Sequence, residues 1–219
     1  MALYDVKPRF RQLLLPLADR LAWMSPDAVT LSGLLASVLA LGCIALGEAA
    51  RGWLLLVPVW LFVRIACNAL DGLIAQRTGK ARPFGEVLNE GVDRLSDLVL
   101  LLGLGLTAWA SFSLAAWTTI AVLCSSYVGV LGKAVGAGRE YGGVLGKADR
   151  MLWLGSVSVI VWLLGPQSIE LGPLRFASMF EAMLAAFLPL ALVTTGQRVA
   201  RIHRRLQAEA AGSGRARDV

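Results

Sequence analysis

Residues 28–47 read AVTLSGLLASVLALGCIALG, a stretch without a charged side chain, and this stretch decides the fold. About 20 apolar residues in helical conformation cross the ~30 Å hydrocarbon core of a membrane. Residues 114–132 and 176–196 are similar in length and apolar character, and shorter apolar stretches lie elsewhere, at 53–70, 98–110 and 151–164. The pattern predicts an all-α, polytopic membrane protein with six transmembrane helices.

The composition agrees with this class, since 57% of the 219 residues are hydrophobic, 16% are charged and the mean hydropathy is +0.66. Too few polar residues remain to cover a water-soluble globule. The net charge of +6 raises nucleic-acid binding as an alternative. However, of the 21 Lys and Arg residues only Arg51 and Arg175 fall in segments that lie outside the cell when both termini are cytoplasmic. By the positive-inside rule we expect an integral protein of a bacterial inner membrane, with cytoplasmic termini, an even number of spans, membrane-lipid contacts and no nucleic-acid partner.

The chain is expected to have three parts. Residues 1–25 are predicted to form an amphipathic helix on the membrane surface, because apolar residues at helical spacing oppose basic ones. The apolar residues are Phe10, Leu13, Leu14, Leu17 and Leu21, and the basic ones are Lys7, Arg9, Arg11 and Arg20. The first apolar span starts too late for a cleavable signal, so we expect the N-terminus to be retained. Residues 26–200 are predicted to be a six-helix transmembrane domain, and residues 201–219 a basic, disordered tail.

The third span joins a short apolar part to a polar beginning. As a helix, residues 98–110 reach only ~20 Å, so the helix is expected to continue backward through Asp97, Asp93 and Asn89. These residues are spaced by four and share one helix face. A carboxylate near the bilayer centre costs roughly 2.5–3.5 kcal/mol, so this face is expected to line a wet, functional cavity.

Four oxygen-bearing side chains of the second and third spans are predicted to meet. Asn68 and Asp71 are three residues apart, and Asn89 and Asp93 are four apart, so each pair shares a helix face. Two antiparallel helices with a short connection bring such side chains together as hard ligands for Mg²⁺ or Mn²⁺. Asp97, one turn beyond Asp93, is a further candidate ligand.

Residues 68–93 also resemble a fixed-spacing enzyme motif. CDP-alcohol phosphotransferases carry the pattern D-x2-D-G-x2-A-R-x8-G-x3-D-x3-D, and the spacing here agrees at every step. The identical positions are Asp71, Gly72, Ala75, Gly85 and Asp93. Asn68 and Asn89 stand where the pattern has its first and third aspartates. Gln76 stands in place of the arginine, and Arg77 follows one position late.

Two more segments are similar to the same family. SPDAVTLSG, residues 25–33, resembles a Pro-Asn-x-x-Thr-x-x-Gly element of the nucleotide pocket, and GKADR, residues 146–150, resembles a basic element before the fifth span. The resemblance implies a phosphatidyltransferase of phospholipid biosynthesis that depends on one or two Mg²⁺ or Mn²⁺ ions. In the implied reaction, an acceptor hydroxyl attacks the phosphorus of a CDP-alcohol such as CDP-diacylglycerol, and CMP leaves. A homodimer with a cytoplasmic active site is also implied.

The resemblance assigns roles to individual residues. Asp93 is expected to be the general base for the acceptor hydroxyl. The expected metal ligands are Asn68, Asp71, Asn89, Asp93 and Asp97. The expected nucleotide contacts are Thr30, Gly33, Asp71, Gly72, Ala75, Arg77 and Gly85. The expected contacts to the acceptor or its phosphate are Arg139, Lys147 and Arg150.

Alternatives remain for both activity and acceptor. In a catalytically silent relative, Asn68 and Asn89 mark lost chemistry, and binding of CDP-lipid or nucleotide is retained. A small transporter is disfavoured, because the polar residues cluster on one side and no discontinuous helix is evident near the midplane. Candidate acceptors include glycerol phosphate, inositol or its phosphate, serine and amino alcohols, and the basic residues slightly favour a phosphorylated one.

Overall fold

The computed structural model describes residues 7–215, which are mainly helical. The α-helices in this range are Lys7–Arg20 (α1), Pro26–Leu46 (α2), Val57–Arg77 (α3), Pro83–Leu104 (α4), Phe112–Ala134 (α5), Lys147–Leu164 (α6) and Met179–Arg215 (α7). A 3₁₀ segment, Arg51–Leu56, precedes α3, and the antiparallel strands Ile169–Leu171 (β1) and Leu174–Phe176 (β2) form a hairpin before α7. The helical class is therefore as predicted, whereas the sequence indicated only a turn where the hairpin lies.

Several helices begin at residues that suit a first turn. Ser25 Oγ accepts a hydrogen bond of 3.2 Å from the backbone of the first turn of α2, and Pro26 follows at the first helical position. Proline has no N–H to leave unpaired there, and its fixed φ matches the helix. Pro83 opens α4 in the same way. At α6, the Asp149 carboxylate accepts a hydrogen bond of 2.8 Å from the Gly146 amide.

Some of the helices are long and apolar enough to cross a membrane. Among the described residues these are Pro26–Leu46, Arg51–Arg77, Phe112–Ala134 and Met179–Glu209. α4 and α6 have 22 and 18 residues, but the charged residues of the motifs lie in their first halves. The chain is thus a membrane protein, and the count of six spans stays a prediction.

α1 packs along α3 at the start of the chain. The ring of Phe10 meets the ring of Phe62 edge-on with centroids 6.1 Å apart, and Leu14 and Ala18 are buried. Leu13 is 78% exposed. The helix is present over Lys7–Arg20, and its position on the membrane surface stays a prediction. Residues 1–6 of the predicted helix and residues 216–219 of the predicted tail lie outside the described range.

α7 extends farther than the sequence indicated. It runs to Arg215, so the prediction of a disordered tail is wrong for residues 201–215. Arg201 and Arg205 of this extension pair with Glu140, which lies between α5 and α6. A tail rich in Ala, Gly and Arg gives no sign of such a distant partner, and this is why composition misled the prediction.

The helices form one bundle in which α2 lies against α3 and α4, and α5 lies against α7. Apolar residues close one end, including Ile44, Leu104 and Phe180, and Trp109 Nε1 donates to the Ile44 carbonyl at 2.9 Å. We call the other end, with the connections 78–82 and 135–146, the motif end. A cavity opens there.

Candidate active site

The connection 78–82 turns the chain from α3 into α4 at the motif end. Thr78 Oγ1 donates to the Ile74 carbonyl at 2.8 Å where α3 ends, and Gly79 has φ +66°. A positive φ is readily adopted by glycine, which permits the sharp reversal. The second half of α3 consequently lies beside the first half of α4, which begins at Pro83 and includes Asn89 and Asp93 as expected.

Asn68, Asp71, Asn89 and Asp93 form a hydrogen-bonded group that we call the motif cluster. Asn68 Nδ2 donates to Asn89 Oδ1 at 2.9 Å and to Asp93 Oδ1 at 3.2 Å. Asn89 Nδ2 donates to Asp71 Oδ2 at 2.6 Å. Asp71 and Asp93 are only 4% and 7% exposed. The four side chains thus meet across two helices, as their spacing predicts.

Asp71 is held by neutral donors. Thr30 of α2 donates from Oγ1 to Asp71 Oδ2 at 2.7 Å, and the Gly72 amide lies 2.6 Å from Asp71 Oδ1. Within residues 7–215, no Lys or Arg forms an ion pair with this carboxylate. Thr30, predicted from a separate segment, therefore joins the motif cluster through Asp71.

Asp93, in contrast, is held by cations. Arg64 Nη2 lies 2.5 Å from Asp93 Oδ1, and Lys147 Nζ pairs with the same oxygen. Arg64 is 1% exposed, and its Nε donates to Ser96 Oγ at 3.0 Å. The predicted site residues did not include Arg64. Its spacing of four from Asn68, which puts it on the same face of α3, is the signal that could have revealed it.

Asp97 and Arg150 form a separate buried pair. Arg150 Nη2 donates to Asp97 Oδ2 at 2.6 Å, and the residues are 4% and 1% exposed. Asp97 is not among the described residues that line the cavity, whereas Arg150 is. The structure therefore places the fifth predicted metal ligand against Arg150 and outside the motif cluster.

The cavity beside the motif cluster has a volume of about 1740 Å³. The predicted nucleotide contacts that line it are Thr30, Asp71, Gly72, Ala75 and Gly85. Gly33 and Arg77 are not among the described lining residues. A Cβ on Gly33 would lie 3.3 Å from Cys67 Cβ and 3.6 Å from Arg64 Nη1, so this glycine packs α2 against α3. Arg77 pairs with Asp19 of α1.

The cavity changes in character along its length. Towards the middle of the bundle it is lined by apolar side chains of α3 and α6, including Pro58, Phe62, Ile65, Val159 and Ile160. At the motif end its lining is charged. Such a cavity suits a ligand with an apolar tail and a charged head.

The connection 135–146 supplies a charged wall of the cavity. Arg139 lies 2.5 Å from Glu86 and 3.2 Å from Glu90 of α4, and it donates to the Tyr141 hydroxyl at 2.7 Å. Burial lowers the pKa of Arg139, but these neighbours more than offset burial and hold the pKa above its ordinary value. Sequence reasoning missed both glutamates, although their spacing of four places them on one face of α4.

Glu140 fastens this wall to α7. It is 4% exposed, accepts from the Gly142 amide at 2.9 Å, and pairs with Arg201 at 3.1 Å and Arg205 at 2.7 Å. Burial raises the pKa of Glu140, but these hydrogen bonds and ion pairs outweigh burial and place it below the ordinary value. Arg198 adds hydrogen bonds to backbone carbonyls at Ser125, Tyr141 and Gly142.

The motif cluster offers hard oxygen donors, although its charge is small. No group of three or more His, Cys, Asp or Glu suited to a metal occurs within the described range. The donors are two carboxylates and two side-chain amides joined by hydrogen bonds of 2.6 to 3.2 Å. Oxygen donors of these types are the ones that Mg²⁺ and Mn²⁺ prefer.

Comparison with known proteins finds a matching family model and several relatives. A family model described as CDP-alcohol phosphatidyltransferase matches residues 23–196. The inner membrane protein YnbA of Escherichia coli is 33% identical over 159 residues, which are 71% of this chain and 78% of that protein. An archaetidylinositol phosphate synthase of Methanothermobacter thermautotrophicus is 28% identical over 190 residues, which are 83% of this chain and 92% of that protein.

A solved structure shares the fold. The crystal structure of Mycobacterium tuberculosis phosphatidylinositol phosphate synthase with CDP-DAG bound has a TM-score of 0.63 at 22% identity, over 89% of this chain and 94% of that chain. The same enzyme in complex with manganese and citrate has a TM-score of 0.64 at 20% identity, over 85% and 87% of the two chains.

Proposed function

The chain belongs to the CDP-alcohol phosphatidyltransferase family, and we propose that the motif cluster is the site of its transfer reaction. As a family member, it is a membrane transferase of phospholipid biosynthesis. It transfers a phosphatidyl group from a CDP-alcohol to an acceptor hydroxyl, and CMP is released. The observation that supports this site for the reaction is the motif cluster itself, which lies at the charged end of an otherwise apolar cavity.

The donor substrate is a CDP-lipid such as CDP-diacylglycerol. Its acyl chains suit the apolar wall of α3 and α6, and its pyrophosphate suits the charged motif end. Gly72 supports a nucleotide nearby, because a Cβ there would meet no protein atom within 4 Å. Protein packing therefore does not require a glycine at this position, and the missing side chain leaves room in the cavity.

The chemistry of the donors fits a divalent cation, Mg²⁺ or Mn²⁺. Asp71 is the principal ligand in this proposal, with oxygens of Asn68, Asn89 and Asp93 as further donors. The Mycobacterium tuberculosis relative holds manganese in one of its structures. When bound, such an ion neutralises the pyrophosphate and the leaving CMP.

Asp93 is proposed as the general base. Its Oδ1 accepts from Asn68 and from two cations, which fix the carboxylate in place. Its Oδ2 lies 3.8 Å from Arg94 Nη2 and is the oxygen that takes the proton of the acceptor hydroxyl. Thr30 orients Asp71 through its hydrogen bond of 2.7 Å.

The acceptor is proposed to bind between Asp93 and the wall formed by Arg139, Lys147 and Arg150. These cations favour a phosphorylated alcohol. All three contact carboxylates, Arg139 with Glu86, Arg150 with Asp97 and Lys147 with Asp93. Since Asp93 is the proposed base, Lys147 is the cation next to the reacting group. By family resemblance we also propose a homodimer, with the motif end in the cytoplasm.

The test is turnover by the purified full chain with CDP-diacylglycerol, Mg²⁺ and a panel of acceptors. Each phosphorylated alcohol is paired with its unphosphorylated form, and CMP release and lipid products are followed by mass spectrometry. We expect CMP release with an acceptor, its loss on chelation, and a fall of about a hundredfold or more in Asp93→Asn. Glu170→Gln in the outer hairpin, where Glu170 pairs with exposed Arg175, is the matched control and should keep wild-type turnover.

A catalytically silent relative is the second candidate. It is favoured by Asn68 and Asn89, which stand in place of two of the four aspartates of the family pattern. Their amide groups donate hydrogen bonds to the two aspartates that remain, Asp93 and Asp71. Binding of CDP-diacylglycerol without CMP release for every acceptor tested would establish this alternative and overturn the transferase.

A further inference from the structure

We infer that Arg64 is a built-in cation of the motif cluster. Together with Lys147 it neutralises Asp93, so that a single divalent ion binds, on the Asp71 side. This ion binds weakly until the pyrophosphate of the CDP-lipid is bound. The inference rests on the proposed function, because it assigns the metal and the substrate to the same site.

Arg64 is a charged residue in the interior of the helix bundle. It is 1% exposed within a membrane-spanning helix, one turn before Asn68. A buried charge in such a helix is expensive unless it is paired, and it is usually functional. Its Nη2 reaches Asp93 at 2.5 Å and its Nε reaches Ser96 at 3.0 Å.

The surroundings hold the guanidinium in this position. Ser96 Oγ donates in turn to the Val92 carbonyl at 2.8 Å, so the acceptor of Arg64 Nε is itself fixed on α4. On the other side Gly33 lets α2 approach α3, since a Cβ there would stand only 3.3 Å from Cys67 Cβ, and α2 at this point lies in van der Waals contact with the Arg64 guanidinium. The arginine is thus enclosed by α2, α3 and α4.

The two aspartates are consequently unequal. Asp93 Oδ1 accepts from Arg64, Lys147 and Asn68, and two of these donors are cations that repel a metal ion. Asp71, among the residues that the structure describes, accepts from neutral groups only: Thr30, Asn89 and its neighbour Gly72. The affinity for a divalent cation therefore resides on the Asp71 side.

The balance of formal charge leads to the same result. Two carboxylates against the cations of Arg64 and Lys147 leave the motif cluster neutral, and the nearby charge of Arg94 is balanced by Glu90 at 3.6 Å. One divalent ion then gives an excess of positive charge, which the pyrophosphate of a CDP-lipid offsets. The opposite charges of the metal ion and the pyrophosphate thus raise each other's affinity, and by linkage the two increases are equal.

The experiment measures Mn²⁺ binding to the full chain in detergent by electron paramagnetic resonance, without and with CDP-diacylglycerol. Wild type is expected to bind one Mn²⁺, more tightly when the CDP-lipid is present. Arg64→Gln is expected to bind Mn²⁺ about tenfold or more tightly than wild type without the lipid, because a nearby positive charge is gone. Arg64→Lys keeps the charge and should behave like wild type.

Arg82→Gln is the matched control, since Arg82 lines the cavity but pairs with Asp27, outside the motif cluster. Lys147→Gln removes the other cation on Asp93 Oδ1. This variant should tighten Mn²⁺ binding even where Arg64→Gln fails to fold. Two ions or none in wild type with the lipid, equal tightening by Arg82→Gln, or no tightening in either cation variant overturns the inference. CMP release by wild type is measured on the same preparation, so that failure of this inference can be told from failure of the proposed transferase activity. If wild type releases CMP but the cation variants bind Mn²⁺ with unchanged affinity, only the role of Arg64 is rejected.

Discussion

Asp71 and Asp97 are buried aspartates on facing helices, yet their partners differ. Asp71 accepts from the neutral groups of Thr30, Asn89 and Gly72, whereas Asp97 is bonded to the Arg150 guanidinium. A buried carboxylate without a cation destabilises the fold and persists where function requires it. A carboxylate that pairs with a buried arginine is needed for folding, because its loss leaves that charge alone.

Substitution of the two aspartates should therefore affect different properties, turnover for Asp71 and stability for Asp97. Asp71→Asn should reduce CMP release by about a hundredfold or more while thermal stability is kept, because it removes a metal ligand and no ion pair. Asp97→Asn should lower the free energy of unfolding by about 3–5 kcal/mol, because Arg150 loses its partner. CMP release and thermal unfolding in detergent, on both variants, check this; equal loss of stability in the two would contradict the assignment.

At this scale the sequence predicts what local spacing can encode. The meeting of Asn68, Asp71, Asn89 and Asp93 follows from spacings of three and four on two helices. The partners of Asp93 and Asp97 do not follow, because Lys147 and Arg150 reach them from α6, which is distant in sequence. Arg64 carries a local signal, but its role depends on how α3 and α4 pack.

Among the elements, α7 has a role beyond crossing the membrane. Its second half carries Arg198, Arg201 and Arg205, which hold the connection 135–146 through Glu140 and through backbone carbonyls. This connection presents Arg139 to the cavity. The second half of α7 thus stabilises a wall of the cavity.

Glu140 gives the anchor a pH dependence. The folded state holds the pKa of Glu140 below its ordinary value of 4.5, so the folded form binds a proton less readily than the unfolded one. The stabilisation is then complete at neutral pH and is lost as the pH falls through 4.5 towards the folded-state pKa. Glu140→Gln should lower the melting temperature at neutral pH, and its difference from wild type should shrink in acid. Thermal unfolding across pH measures this, with Glu170→Gln as control; a pH-independent difference would show that charge is not the cause.

The elements themselves were predictable to different degrees. Apolar length gave the helices, and polar residues at a spacing of four extended the third one backward through Asn89, whereas α4 begins at Pro83. The hairpin of β1 and β2 was missed because its strands have three residues each, too few for an alternating pattern. The end of α7 was missed because its partners lie in another connection.

For the whole molecule, the arrangement of helices places the polar chemistry at one end and the apolar wall along the bundle. The connections 78–82 and 135–146 and the basic end of α7 share the motif end, while the hairpin with Arg175 lies at the other. A transferase whose donor is a membrane lipid and whose acceptor is dissolved in water needs this polarity. In the proposed function, the CDP-lipid enters from the bilayer and the acceptor enters at the motif end.

We predict from the positive-inside rule that the motif end lies in the cytoplasm, because basic segments are retained there. In a chain whose three cysteines are replaced by alanine, Ser168→Cys marks the exposed hairpin side and Lys80→Cys marks the exposed motif end. A membrane-impermeant maleimide should label Ser168→Cys in intact spheroplasts and Lys80→Cys only after permeabilisation. Labelling of both in permeabilised cells is the control for reactivity. The reverse pattern would place the motif end outside, and labelling of both in intact spheroplasts would rule out opposite sides for the two connections. Opposite sides for Lys80 and Ser168 require an odd number of crossings among α4, α5 and α6. Because the connections 78–82 and 135–146 share the motif end, a crossing by α5 requires that α4 crosses as well, although its first half carries the charged motif.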